Sequence, residues 1–256
     1  MKLDYALDRT VLICARRTTV FRYFTDSKRF AAWWGEGSSI EPRVGGHVRI
    51  VYPGGSIASG EVVEIDEPSR IVFTYGYEDP TKPLAPGGSR VTITLDEREV
   101  GTLVSLRHEV HEASTRDLHV QGWRYQLAVF ANVVTREQHE DARAVVDRFF
   151  TAWSDLDATS RAATLSATTT GDVVFRDRFG ATAGRDELDA HIAAVQGQMR
   201  GVSLVRDGEP RACQGTAVVS FIARGSDGEA LGGGQDVVDF APDGRIARVV
   251  GLWAGP

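Results

Sequence analysis

A chain of 256 residues with 42% hydrophobic and 25% charged residues has the composition of a globular protein, and it is long enough for one large domain or two ordinary ones. Its net charge of −6 argues against general nucleic-acid binding, which needs a basic surface to neutralise phosphates. No apolar run is long enough to cross a bilayer, and the opening MKLDYALDRT lacks the apolar core of a secretory signal, so a cytoplasmic protein without membrane contact is expected.

In chain order, TVLICA reads as a strand, and VFRYFT opens a helix with Val20, Phe21 and Phe24 on one face. The segment SKRFAAWWGEG reads as a second short helix that Gly35 ends. Its adjacent Trp33 and Trp34 either plug the end of a core or form the aromatic wall of a pocket. From Gly45 onward the pattern turns to strands, HVRIVY, ASGEVVEID and RIVFTYGYE. In the last of these, Ile71, Phe73, Tyr75 and Tyr77 share a face by the two-residue period. The loop DPTKPLAPGGS is a lid or a long surface connection, and RVTITLDE and TLVSLRHEV follow as further strands. HEVHE, His108 to Glu112, is not a metal motif: on a strand His108 and His111 face opposite ways, so no metal is expected.

Ser114 to Gln138 then reads as one long helix. Trp123, Leu127, Phe130 and Val134 form its apolar stripe, and Ser114 with Asp117 has the form of a capping box. His119 lies four residues before Trp123, on the side that reaches the sheet. Gly122 is expected to let the helix backbone approach that sheet closely. Residues 1–138 hold 17 basic and 18 acidic side chains, whereas residues 139–256 hold 12 and 17, a shift that suggests a domain boundary at the helix end.

Beyond it, DARAVVDRFFTAWSDLD carries a stripe of Val146, Phe149, Phe150 and Trp153, and ATSRAATLSAT is a second helix. The strand DVVFRD and the helix RDELDAHIAAVQGQM follow. Three long strands close the chain, VSLVRDGEPRACQ into GTAVVSFIAR, LGGGQDVVDF and GRIARVVGLW. Gly232 to Gly234 precede a strand, not a helix, so they form no phosphate loop, and no cofactor is expected. Cys14 and Cys213 show no paired spacing and read as small buried apolar residues.

Polar residues on apolar faces carry the chemistry. Asp177 follows Val173 and Phe175 by the strand period, His191 shares a helical stripe with Leu188, Ile192 and Val195, and Asp236 lies with Val238 and Phe240. Buried carboxylates are costly alone, so the three should pair or line a wet cavity. Asp177 is then a general base with His191 as acid or orienting partner and Asp236 as a third member, or the group is a hydrogen-bonded core pair.

The stretches FRYFTDSKRFAAWWG, GGHVRI, RIVFTYGYE and HVQGWRYQLAVFANVV together resemble the AHSA1-like branch of the START/SRPBCC superfamily over about residues 5–138. That resemblance implies a helix-grip fold, a curved antiparallel sheet around the C-terminal helix with an apolar cavity between them. It makes Trp33, Trp34, Tyr75, Tyr77, His108, His119 and Trp123 cavity or rim residues, beneath the cover of Leu127 and Phe130. The branch is named after an activator of the chaperone Hsp90, but nothing in this chain resembles that protein's stimulating domain, so no chaperone contact is expected. Residues 141–254 resemble the SnoaL-like branch of the NTF2-like superfamily through FFTAWSDLD, VVFRDRFGATAGRDELDAHIAAVQ and GRIARVVGLW. Some members of that branch are cyclases, isomerases or hydrolases acting through inward Asp and His residues, and the branch implies a cone-shaped α+β fold and a homodimer through this domain. Arg178 stands where the branch pattern has proline.

The expectation is therefore two α+β domains, 1–138 and 139–256, each a sheet closed by helices over a cavity. The leading function is binding of a small hydrophobic molecule in one or both cavities, with Trp153 among the second cavity's contacts. Acid/base catalysis in the C-terminal domain is the alternative, and a chaperone-associated or stress-response interaction module is a third.

Overall fold

The computed structural model describes residues 3–254, which separate into two compact α+β units after Thr135. Among these residues no helix is long and apolar enough to cross a membrane.

The first unit starts with β1 (Tyr5–Ile13), α1 (Arg17–Arg22) and α2 (Ser27–Trp34). Six strands follow: β2 (Ser39–Ile40), β3 (His47–Val51), β4 (Ile57–Asp66), β5 (Arg70–Tyr77), β6 (Ser89–Arg98) and β7 (Gly101–Val110). They form an antiparallel sheet in the order β1-β7-β6-β5-β4-β3-β2, and α3 (Ala113–Gln138) packs its stripe into the core that this sheet encloses. Trp123, Leu127, Phe130 and Val134 are all buried, each contributing about 1.5–3 kcal/mol by removal from water. Helix α2 begins where the Asp26 side chain accepts a hydrogen bond from the Arg29 backbone N–H and ends at Gly35, with φ of +146°. A β-carbon at Gly35 would lie 2.3 Å from the Val51 carbonyl oxygen, so only glycine lets the helix end against β3.

Three local expectations differ. The capping box at Ser114 does not form, because α3 already begins at Ala113 and the Ser114 hydroxyl donates to the Glu112 carboxylate instead. Gly122 is exposed, and a β-carbon there would meet nothing within 4 Å, so it makes no close approach to the sheet. The Pro- and Gly-rich loop after β5 is docked: Leu84 enters the core and its carbonyl accepts from the Tyr77 N–H.

The second unit contains α4 (Ala142–Ala152), α5 (Ala158–Thr168), β8 (Thr169–Arg176), β9 (Ala181–Ala183) and α6 (Arg185–Gln198). It closes with β10 (Ser203–Arg206), β11 (Arg211–Cys213), β12 (Thr216–Arg224), β13 (Ala230–Phe240) and β14 (Ile246–Trp253). The sheet order is β10-β12-β13-β14-β8-β9, with β11 also paired to β12 and β14 running parallel to β8. The expected long strand from VSLVRDGEPRACQ into GTAVVSFIAR is three strands, β10, β11 and β12, with Gly208 at φ of +82° and Gly215 at φ of +89° at the two breaks. Cys213 is exposed on β11 and Cys14 is half-buried, so neither is the buried apolar residue expected. On the helical side, the Arg161 side chain is 5% exposed and donates to Asp189 at 2.6 Å, tying α5 to α6. Gln196 fixes the opposite end of α6: it donates to the carbonyls of Trp153 and Val202 and accepts from the Gly201 N–H.

Candidate functional sites in two cavities

In the first unit a cavity of about 330 Å³ lies between α3 and the sheet, walled by Trp34, Tyr52, Tyr75, Tyr77, His119 and Trp123. The Tyr52 and Tyr75 hydroxyls are 2.8 Å apart and hydrogen-bonded, and burial pushes both phenols above their ordinary pKa. Behind this wall runs a directional line of hydrogen bonds. Trp123 Nε1–H donates to His108 Nδ1 at 3.0 Å, which leaves His108 Nε2 to carry the proton and donate to Ser89 Oγ at 2.8 Å. Ser89 in turn donates to the Tyr75 carbonyl at 2.8 Å. Burial, with a smaller repulsion from His119, pushes His108 down to about 3, so the ring is neutral and serves to join α3 to the sheet. His119 donates from Nδ1 to the Thr115 carbonyl at 2.7 Å, and its Nε2 has no partner among the described residues. Burial lowers its pKa against the opposing effect of that bond.

Of the residues expected at this cavity, Trp34, Tyr75, Tyr77, His119 and Trp123 line it, whereas Trp33, His108, Leu127 and Phe130 do not. Trp33 is a core plug: its ring centroid lies 4.6 Å from that of Phe130 and 4.2 Å from that of Trp34. Leu127 and Phe130 are buried in the same core. Leu118, Gly122 and Tyr125 also line the cavity, and sequence reasoning misses them as contacts because they lie off the apolar stripe of α3.

The second cavity, of about 370 Å³, brings Asp177, His191 and Asp236 together with Trp153, Phe175 and Trp253. Their partnering is not the expected Asp177–His191 pair. Asp177 Oδ1 accepts from the backbone N–H groups of Phe179 and Gly180 at 2.7 and 2.9 Å, and Oδ2 accepts from Trp253 Nε1 at 3.1 Å. Its oxygens are thereby committed to the turn after β8 and to β14. His191 sits over Gly180, where a β-carbon would lie 2.7 Å from the ring, and packs between Phe175 and Trp153 with centroids 5.6 and 5.9 Å away. Its Nε2 has no partner among the described residues.

Asp236, expected as the lesser member, has the most perturbed environment. It is 5% exposed, and no described residue donates a hydrogen bond to its carboxylate. Burial, reinforced by the Asp177 charge, raises its pKa from 3.8 to about 7. The two acids flank β14 from β13 and from the end of β8, and the residue opposite Asp236 is Gly251. A β-carbon at Gly251 would lie 3.0 Å from Asp177 Cβ and 3.2 Å from Asp236 Oδ1. Glycine at that position therefore leaves the space that both carboxylates occupy. At the mouth, the Arg178 guanidinium stacks over Phe179 at 4.7 Å and Trp253 at 5.4 Å. Trp253 is the main wall residue that sequence reasoning misses, although its two-residue spacing from Val249 and Gly251 places it on the cavity face. Among the described residues no group of three or more His, Cys, Asp or Glu side chains is arranged to hold a metal ion.

Residues 15–135 match the model of the family described as Activator of Hsp90 ATPase homolog 1-like protein. No curated protein matches the chain. Among solved structures, an AHSA1-like protein from Rhizobium etli is 27% identical, covering 51% of this chain and 81% of its own, with a TM-score of 0.42. A SnoaL-like family protein from Agrobacterium tumefaciens str. C58, described as a candidate isomerase, is 25% identical over 46% of this chain and 99% of its own, with a TM-score of 0.43. The Aha1 dimer from Colwellia psychrerythraea is 18% identical over 48% of this chain and 90% of its own, with a TM-score of 0.41.

Proposed function

We propose that the chain binds small, largely apolar molecules in its cavities and that the cavity of the second unit moves a proton on one of them. The observation that carries this reading is Asp236, a buried carboxylate raised to about 7 at the base of a cavity walled mainly by apolar groups. A group that titrates near neutrality is present in both protonation states at working pH, as general acid/base chemistry requires. Asp236 then takes the part of proton carrier. Asp177, held by three N–H donors, supplies the charge that keeps the Asp236 proton in place, and His191 offers a further ring nitrogen in the same wall. The natural substrate class is an uncharged apolar ketone with an acidic α-hydrogen. Removal of that hydrogen by ionised Asp236 yields an enolate and protonated Asp236. Delivery of that proton to another carbon completes an isomerisation, and delivery of a proton that the carboxyl has first exchanged with solvent completes an α-hydrogen exchange.

The test is α-deuterium incorporation in D2O. A panel of apolar cyclic ketones is incubated with the protein and with Asp236→Asn, and exchange is followed by proton NMR. Exchange by the unaltered protein and a loss of roughly 10²- to 10⁴-fold in the variant are expected. Equal rates for the two proteins across the panel would remove the acid/base reading.

A further inference from the structure

We infer that the mouth of the first cavity is a portal in which an uncharged, planar aromatic molecule crosses helix α3 at Gly122. This inference rests on the reading of the first cavity as a ligand site. Gly122 is the tenth residue of a 26-residue helix, a position where glycine is the least favourable residue after proline. Two reasons commonly justify such a glycine, and both are absent. Its φ is not in the left-handed region, and a β-carbon there would meet nothing within 4 Å. The chain's own packing therefore gives no reason for the missing side chain.

The surroundings supply one. Leu118 and Tyr125 lie four residues before and three after Gly122, on the same helical face, and each is 68% exposed. Both line the cavity mouth with Gly122, so the glycine is a notch between two exposed apolar side chains. Exposed apolar groups that flank a cavity opening give an apolar ligand leaving that opening further surface to rest on. The wall inside the notch identifies the occupant's chemistry. No Asp, Glu, Lys or Arg lines the cavity, although Lys82 Nζ lies over the Tyr77 ring at 5.9 Å, and Trp34 and Trp123 supply aromatic wall. A planar aromatic molecule without formal charge fits those walls, and its outer ring would rest on the backbone at Gly122, flanked by Leu118 and Tyr125.

The test uses 2-aminoanthracene, a planar fluorophore uncharged at neutral pH, in a background where Ala194, which lines the second cavity, is replaced by Trp to block it. The expected result is that this background binds the probe, that adding Gly122→Leu weakens binding at least tenfold, and that adding Gly122→Ala weakens it about threefold. Both added changes should hold or raise the melting temperature, since each is a better helix former than glycine. If Gly122→Leu lowers the melting temperature, the affinity of Gly122→Ala decides, because that change adds one methyl into open space. Unchanged affinity in a folded Gly122 variant overturns the portal alone. Failure of the Ala194→Trp protein to bind the probe overturns both the portal and the ligand reading of the first cavity.

Discussion

Replacing Asp236 by Asn should stabilise the second unit in a strongly pH-dependent way. The rise of the Asp236 pKa from 3.8 to about 7 comes first from burial and second from the Asp177 charge. At about 1.4 kcal/mol per pH unit, it corresponds to about 4 kcal/mol between the protonated and ionised forms in the fold. Because the folded pKa lies above the unfolded one, the folded state holds a proton that the unfolded state has released between pH 3.8 and about 7. The stability this group contributes is fully present below 3.8 and is lost as pH rises through about 7. Asn carries no such proton, so the variant should match the parent at pH 4 and exceed it by about 4 kcal/mol at pH 8. Urea unfolding at fixed pH is the assay, read by fluorine NMR of 5-fluorotryptophan protein, in which Trp153 and Trp253 report the second unit separately. A difference that stays flat from pH 4 to pH 8 would refute the reasoning.

Two further outcomes concern the frame around the cavities. His108→Leu leaves the buried Trp123 N–H without an acceptor, while Ser89 keeps its bond to the Tyr75 carbonyl, at a cost of about 1–3 kcal/mol to the first unit, read from the Trp123 fluorine signal. His108 also makes this unit acid-sensitive in the opposite sense to Asp236. Its pKa is depressed to about 3, so the stability it gives is present above 6.5 and lost as pH falls towards 3, and His108→Gln should flatten that loss. In the second unit, Asp189→Ala leaves the buried Arg161 guanidinium with the Asp155 carbonyl but no counter-charge and should cost about 3–5 kcal/mol, whereas Arg161→Met should cost less. The reverse order in chemical denaturation would count against a desolvated ion pair.

Much of the architecture is legible in the sequence because burial follows period. The α3 stripe of Trp123, Leu127, Phe130 and Val134 is buried as its spacing predicts, and Val173, Phe175, Val238 and Phe240 enter the second core as their strand period requires. The same rule brings Asp177, His191 and Asp236 to one cavity. It cannot rank them, because the rank depends on hydrogen bonds fixed by the turn at Phe179–Gly180 and by Trp253, contacts with no signature in local spacing. Period also fails to separate cavity wall from solid core: Trp33 and Trp34 are neighbours on one helix, yet only Trp34 faces open space. The portal residues Leu118 and Tyr125 escape it for a related reason, since they lie outside the stripe that amphipathicity reads.

Gly251 makes the spacing of the two acids in the second cavity depend on a single carbon atom. Most of the residues around it, the aromatic walls included, would survive an alanine at that position, and the fold would keep its pocket. The added methyl would nevertheless lie 3.0 Å from Asp177 Cβ and 3.2 Å from Asp236 Oδ1, so one or both acids would have to shift by a few tenths of an ångström. Asp236 would keep the burial that chiefly raises its pKa, while the smaller contribution of the Asp177 charge would change with their spacing. On the proposed reading, an alanine at this one position would disturb the spacing of the two acids without rebuilding the side chains that enclose them.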